Sequence, residues 1–153
     1  MIVRWGLGEL DGLLAPYDRS LLITSRRWQQ FDFATDCYLG VRPHAPLETV
    51  LEAISAAGDA DVLVGLGGGS AIDTAKAVSA QNGLPLIAVP TTYAGAEWTP
   101  YFGMRDEARG LKTGGSGANT IAIVYEPKLT LDLPREESGG TAMNALAHCV
   151  EAR

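Results

Sequence analysis

Apolar positions along this chain follow two rhythms, short continuous runs and one-sided helical spacing, and they alternate. Residues 20–25, SLLITS, form a short apolar, β-branched run that ends in Arg26 and Arg27, which suits a buried parallel strand followed by a turn or an active loop. In PLETVLEAISAAG, Leu47, Val50, Leu51 and Ile54 recur at helical spacing, with Pro46 just before them and Gly58 just after, so residues 47–57 are predicted to form a one-sided helix. The next stretch, DVLVGLGGGSAIDTAKAVSA, breaks an apolar strand into glycines and then runs into an alanine-rich helix. LPLIAVP supplies a second buried strand from Leu84 to Val89, closed by Pro90. A right-handed strand–helix–strand crossover is the natural assembly, and the predicted class is α/β with a parallel sheet.

From Thr91 to Gly117 the periodicity weakens. Two short β-like pieces, TPYFGM and RGLKT, are predicted to pair as a hairpin across RDEA, in the manner of a functional lid or binding loop. TIAIVYEP is predicted to be a third buried strand. Past Pro134, Met143, Leu146, Ala147 and Val150 fall on one helical face that is still running at Arg153, the pattern expected of a chain cut inside a helix. The sequence shows no internal repeat, and GGSG at 114–117 is its one linker-like stretch.

Composition narrows the function classes. With 153 residues, 46% apolar and 20% charged, the chain is sized for roughly one globular domain. A net charge of -6 argues against a partner held through a phosphate backbone, so nucleic acid is not expected. No apolar run reaches the ~20 residues that cross a bilayer, and the N-terminus lacks a basic segment followed by an apolar one, so no membrane association and a cytoplasmic location are expected. Cys37 and Cys149 stand far apart with no Cys-x-x-Cys, which predicts two reduced, buried cysteines rather than a disulfide or a zinc site.

Candidate chemistry centres on the glycine turn Gly65-Leu66-Gly67-Gly68-Gly69-Ser70. Glycines let a ligand approach the backbone closely, and the helix that follows presents unpaired N–H groups to an anion, so phosphate or pyrophosphate is the expected guest. Ser70 with Asp73 also reads as a short-armed capping box, which would explain both residues without a ligand. The turn fits neither G-x-G-x-x-G nor G-x-x-x-x-G-K-[ST].

GGGSAIDTAKA, followed in order by IAVPTTYAGAEWTP, GLKTGG, IVYEPKLTLDLP and TAMNALAHCVEA, resembles the iron-containing alcohol dehydrogenase family, and PTTYAG leans toward its maleylacetate reductase branch. The resemblance implies a Rossmann-like dinucleotide-binding domain over 1–133 and, over 134–153, the start of a truncated all-helical domain. It implies that Gly67, Gly68, Gly69 and Ser70 cradle the cofactor pyrophosphate with Asp73 nearby, that Thr91 and Thr92 contact the nucleotide, and that Lys112 reaches the nicotinamide side. NAD-preferring relatives tend to carry an Asp at the end of the first strand. Ser25 stands there in this chain, and Arg26 or Arg27 could pair with a 2′-phosphate, so NADPH as well as NADH is an expected cofactor.

Asn144 and His148, four residues apart, share one helix face, the spacing by which two ligands grip one metal. Metal-dependent relatives begin that segment with Asp. Asn144 offers only a neutral carbonyl, so iron or zinc is disfavoured and His148 is the catalytic candidate, orienting or protonating substrate beside the nicotinamide. His44, in VRPHAP, matches no family position and is given no role. The expected function is reduction of a small unsaturated keto-diacid by hydride transfer from NAD(P)H. The alternatives are a metal-dependent alcohol or polyol dehydrogenase, and a nucleotide-binding fragment without catalysis. The expected partners are a small-molecule substrate and either a second copy or a helical domain covering Met143, Leu146 and Val150.

Overall fold

The computed structural model describes residues 1–151, apart from the side chains of His148 and Glu151. The strands are β1 (Ile2–Trp5), β2 (Ser20–Ile23), β3 (Asp36–Tyr38), β4 (Val62–Gly67), β5 (Pro85–Pro90), β6 (Phe102–Asp106), β7 (Leu111–Gly115) and β8 (Asn119–Tyr125). The helices are α1 (Glu9–Leu14), α2 (Leu47–Ala57), α3 (Gly69–Asn82) and α4 (Arg135–Glu151). Six strands form one parallel sheet in the order β1-β8-β5-β4-β2-β3, and β6 and β7 form a separate antiparallel hairpin. This is the α/β class with a parallel sheet that the sequence pattern predicted, in the Rossmann-like arrangement that the resemblance implied.

The pleat sorts the core into two layers. Leu22, Val62, Val64, Leu66, Ile87 and Val89 face one side of the sheet, under α1 and a run of aromatics. Their neighbours in the chain, Leu21, Ile23, Leu63 and Leu86, face the other, against Ala53 and Ala57 of α2 and Ala75 and Val78 of α3. Such strands are apolar on both faces because helices cover both. At an ordinary 25 cal/mol per Å² of buried apolar surface, each fully buried Leu or Ile stabilises the domain by roughly 1.5–3 kcal/mol.

Helix α2 spans the predicted residues, and the hairpin turns where RDEA lies. The sequence pattern left β1, α1 and β3 unassigned. β1 is a four-residue edge strand whose residues are mostly exposed, so it carries no alternation to detect. The connection from β2 to β3 holds only a 3-10 turn, Arg26–Trp28, where a longer crossover helix is usual. Trp28, Phe31 and Phe33, stacked with ring centroids 6.0 Å apart, cover that face of the sheet instead. The cysteine expectation is corrected: both are free but exposed, Cys37 because it sits on the sheet's edge strand. Among the described residues, no helix is long and apolar enough to cross a membrane.

Helix α3 lies unusually close to β4. A Cβ on Gly65 would stand 2.8 Å from Ala75 Cβ, and one on Gly67 would stand 2.8 Å from Ala71 Cβ. Gly65→Ala is therefore expected to destabilise the fold by about 1–3 kcal/mol through overpacking, measured as a lower denaturant midpoint at unchanged slope.

Candidate functional site

The sheet's order reverses between β2 and β4, since the chain leaves β2 toward β3 on one side and returns to β4 on the other. In open α/β sheets ligands bind in the crevice beyond the carboxyl ends of the strands at this point. Ser25 follows β2 there, and Gly67-Gly68 ends β4. Thr24 Oγ1 donates to Leu66 O at 2.7 Å, Thr91 N–H donates to Gly67 O at 2.9 Å, and the two bonds fix the turn from both flanking strands. Gly67 adopts φ +143°, which L side chains rarely reach, and Gly68 lies against Thr92, whose Cγ2 would be 3.0 Å from an added Cβ.

A cleft of about 480 Å³ opens over this turn, bordered by Ser25, Arg27, Trp28, Gly67, Gly68, Gly69, Ser70, Thr91 and Thr92, with Leu133, Glu137 and Thr141 of the α4 segment on its far side. Of the predicted cofactor-binding residues, the structure brings Ser25, Gly67, Gly68, Gly69, Ser70, Thr91 and Thr92 into one cleft. Of the two arginines, Arg27 borders this cleft, with its guanidinium 5.0 Å from the Trp28 ring centroid. Arg26 is exposed and not part of the cleft wall.

The capping-box expectation is corrected, and Asp73 and Lys112 lie apart from the threonine cleft. Ser70 does not cap α3, because the helix begins at Gly69 with Gly68 as its N-cap and no side-chain cap bond, so Ser70 already lies inside the first turn. Its Oγ instead accepts from His44 N–H at 2.9 Å. Asp73 is consequently beyond the capping position and holds the hairpin, accepting from Gly103 N–H at 3.1 Å. Lys112 stands outside the threonine cleft: it borders a second one of about 510 Å³ with His44, Gly69, Ser70, Asp73 and Arg105, because the hairpin docks on the opposite flank of α3.

The candidate metal pair lies on α4 and falls partly outside the described residues. Asn144 Nδ2 makes a long contact, 3.5 Å, to Ala94 O, and the His148 side chain lies outside the described residues. Among the described residues no three His, Cys, Asp or Glu side chains come together as a ligand set. Asn144 offers a cation only a neutral amide oxygen, a weaker partner for a hard metal than a carboxylate.

Two groups of residues went unnoticed in the sequence. Lys76, on the alanine-rich helix, is 1% exposed, and its Nζ donates to Ala96 O at 2.6 Å while pairing with Asp73 Oδ1 at 3.3 Å. It thereby fastens the loop after β5 to α3. Glu97, 5% exposed, accepts from Tyr125 Oη–H at 2.8 Å, and Tyr125 Oη accepts in turn from Trp98 Nε1–H at 2.8 Å. Burial first, then the bonded Glu97 carboxylate, pushes the Tyr125 phenol far above its ordinary value. With Trp5 and Tyr93 these residues line a cavity of about 500 Å³ that meets the glycine cleft at Thr92. A lysine in an apolar helix and a Glu among loop aromatics give no periodic signal, so only the tertiary contacts reveal them.

Comparison with known proteins places this geometry in a family. Residues 10–125 match the family described as iron-containing alcohol dehydrogenase. The maleylacetate reductase of Sphingobium indicum is 45% identical over 112 residues, 71% of this chain and 31% of the relative, and that of Pseudomonas knackmussii is 43% identical over 118 residues, 74% of this chain and 33% of the relative. The crystal structure of maleylacetate reductase from Rhizobium sp. strain MTP-10005 superposes with a TM-score of 0.86 at 29% identity, covering 99% of this chain and 48% of that one. The class is a Rossmann-like α/β domain with a glycine turn at its switch point. The chain belongs to the iron-containing alcohol dehydrogenase family, and it spans about a third of the length of the curated relatives it matches.

Desolvation lowers the Lys76 pKa from the ordinary 10.5, with Asp73 opposing the shift. Just below 10.5 the unfolded chain then holds a proton the native chain lacks, so this group's contribution to stability rises as pH climbs through that window. Denaturant titrations across that range should show the rise in the wild type and its loss in Lys76→Met. That variant should also be about 3 kcal/mol less stable, because it leaves Asp73 and the Ala96 carbonyl without their partner.

Proposed function

We propose that this chain is the dinucleotide-binding part of an NAD(P)H-dependent cytoplasmic reductase acting on maleylacetate or a similarly small unsaturated keto-diacid. The observation that carries the reading is the glycine turn at the switch point, opening directly into α3 beneath a threonine-lined cleft. The first N–H groups of a helix have no intrahelical acceptors, and Gly69 and Ser70, the first two residues of α3, border the cleft beside Gly68, where an added Cβ would press on Thr92 at 3.0 Å. That donor set suits a pyrophosphate, with Thr91 and Thr92 beside it. At the other end of the cleft, Ser25 presents a hydroxyl where an acid would repel a 2′-phosphate, and Arg27 lies within reach of one. Thr92 and Tyr93 are the residues available to the nicotinamide end, where the aromatic cavity begins.

When bound, the reduced nicotinamide supplies the hydride. The chain's own residues bind and orient it, Asp73 holds the hairpin in place, and Lys112 offers a cation on the hairpin flank for an acidic substrate. His148 on α4 is the proposed proton donor to the substrate. The Asn144 amide favours this metal-free reading over a metal-dependent alcohol dehydrogenase.

Calorimetric titration with NADPH and then NADH tests the proposal. Wild type is expected to bind both, and Gly68→Val to bind neither while remaining folded, because its side chain fills the cradle and presses on Thr92. Arg27→Ala is expected to weaken NADPH about tenfold, the loss of one charge-assisted contact, and to leave NADH unchanged. A folded wild-type chain that binds neither nucleotide would overturn the reading.

A further inference from the structure

His44, which matched no family position, occupies a placement that the dinucleotide reading does not use. We propose that His44 is a cofactor-binding residue that contacts the pyrophosphate, an inference that rests on the dinucleotide reading above. The two clefts flanking the start of α3 share three bordering residues, Gly69, Ser70 and His44. Two of these are the first residues of the helix, where the N–H groups lack intrahelical acceptors, and the third, His44, is exposed.

The backbone is bent to put it there. His44 and Ala45 have φ of +64° and +45°, the two non-glycine residues with positive φ among the described residues, and they are consecutive. Such a conformation persists only when its surroundings over-determine it. Those surroundings are specific: Ala45 is 1% exposed, its carbonyl accepts from Arg105 N–H at 3.2 Å, and Val41 N–H donates to Thr24 O at 3.2 Å. The loop is thus stitched to the switch point at one end and to the hairpin at the other.

One consequence reaches the anion site directly. Because Ser70 Oγ accepts the His44 N–H at 2.9 Å, the Ser70 hydroxyl keeps its own hydrogen to donate, and Ser70 borders both clefts. The imidazole adds a donor in either protonation state. Arg27 and Arg42 border the cleft on one side of it, and Arg105 and Lys112 the cleft on the other, with Asp73 the one carboxylate on the hairpin side and Glu137 on the α4 side. Arg42 is engaged by Glu48 at 3.1 Å and Thr49 at 2.8 Å, which leaves the His44 imidazole as the other side-chain donor of that loop bordering the cleft.

Titration of NADH and NADPH against wild type, His44→Gly and His44→Asn, read by nicotinamide fluorescence beside a thermal melt of each chain, tests this. Glycine accepts positive φ and asparagine tolerates it while keeping an amide donor, so neither variant is expected to melt below wild type. His44→Gly is expected to weaken both nucleotides about tenfold, the worth of one charge-assisted hydrogen bond, and His44→Asn to recover most of that loss. Three results would overturn it: unchanged affinity in His44→Gly, a loss confined to NADPH, which would place the residue at the 2′-phosphate, or a loss matched by a lower melting temperature, which would make the role structural. Absence of binding by wild type would remove the dinucleotide reading itself, and this inference with it; binding by wild type that Gly68→Val abolishes and His44→Gly spares would remove the inference alone.

Discussion

The close approach of α3 to β4 is the constraint on which the rest of the structure depends. A strand and a helix are ordinarily held about 10 Å apart by the side chains between them, and here glycine at 65 and 67 faces alanine at 75 and 71, so the spacing collapses. The collapse points the first turn of α3 at the carboxyl end of the sheet and brings its free N–H groups to the switch point between β2 and β4. Thr24 and Thr91, from the neighbouring strands, then lock the turn by bonding the backbone at Leu66 and Gly67.

What surrounds the turn is fastened back to α3 by polar contacts rather than by the core. Lys76 holds the loop after β5, Asp73 holds the hairpin through Gly103, and Ser70 holds the loop carrying His44. The three lie on one helix within seven residues, so a single element fastens the hairpin, the His44 loop and the loop after β5. Burying Lys76 and most of Asp73 opposes their charged forms, which is why burial moves both pKa values away from their ordinary range in the neutralising direction.

Membership of the iron-containing alcohol dehydrogenase family accounts for the fold, yet the features that separate this site from a generic glycine turn are local. Ser25 in place of an acid, Arg27 stacked near Trp28, and the strained His44–Ala45 pair all lie in segments that connect β2 to α2. That connection carries no crossover helix, and its irregular path is what delivers three basic residues, Arg27, Arg42 and His44, to one cleft on a chain of net charge -6.

The central strands, α2, α3, the hairpin and the glycine turn were legible in the sequence because each obeys a period or a breaker that acts over a few residues: two-sided apolar runs, the 47–57 helical stripe, Pro90, the triple glycine. Composition and spacing therefore determined the class and the sheet's core, and singled out the glycine turn. Edge strands β1 and β3 were not legible, since an exposed four- or three-residue strand is specified by its partner's unpaired backbone groups and not by its own side chains. Only the tertiary structure decided that Arg27 rather than Arg26 reaches the cleft, that Ser70 accepts from His44 instead of capping α3, and that Lys76 is buried, because each outcome depends on contacts between residues 20 or more positions apart, which no local pattern encodes.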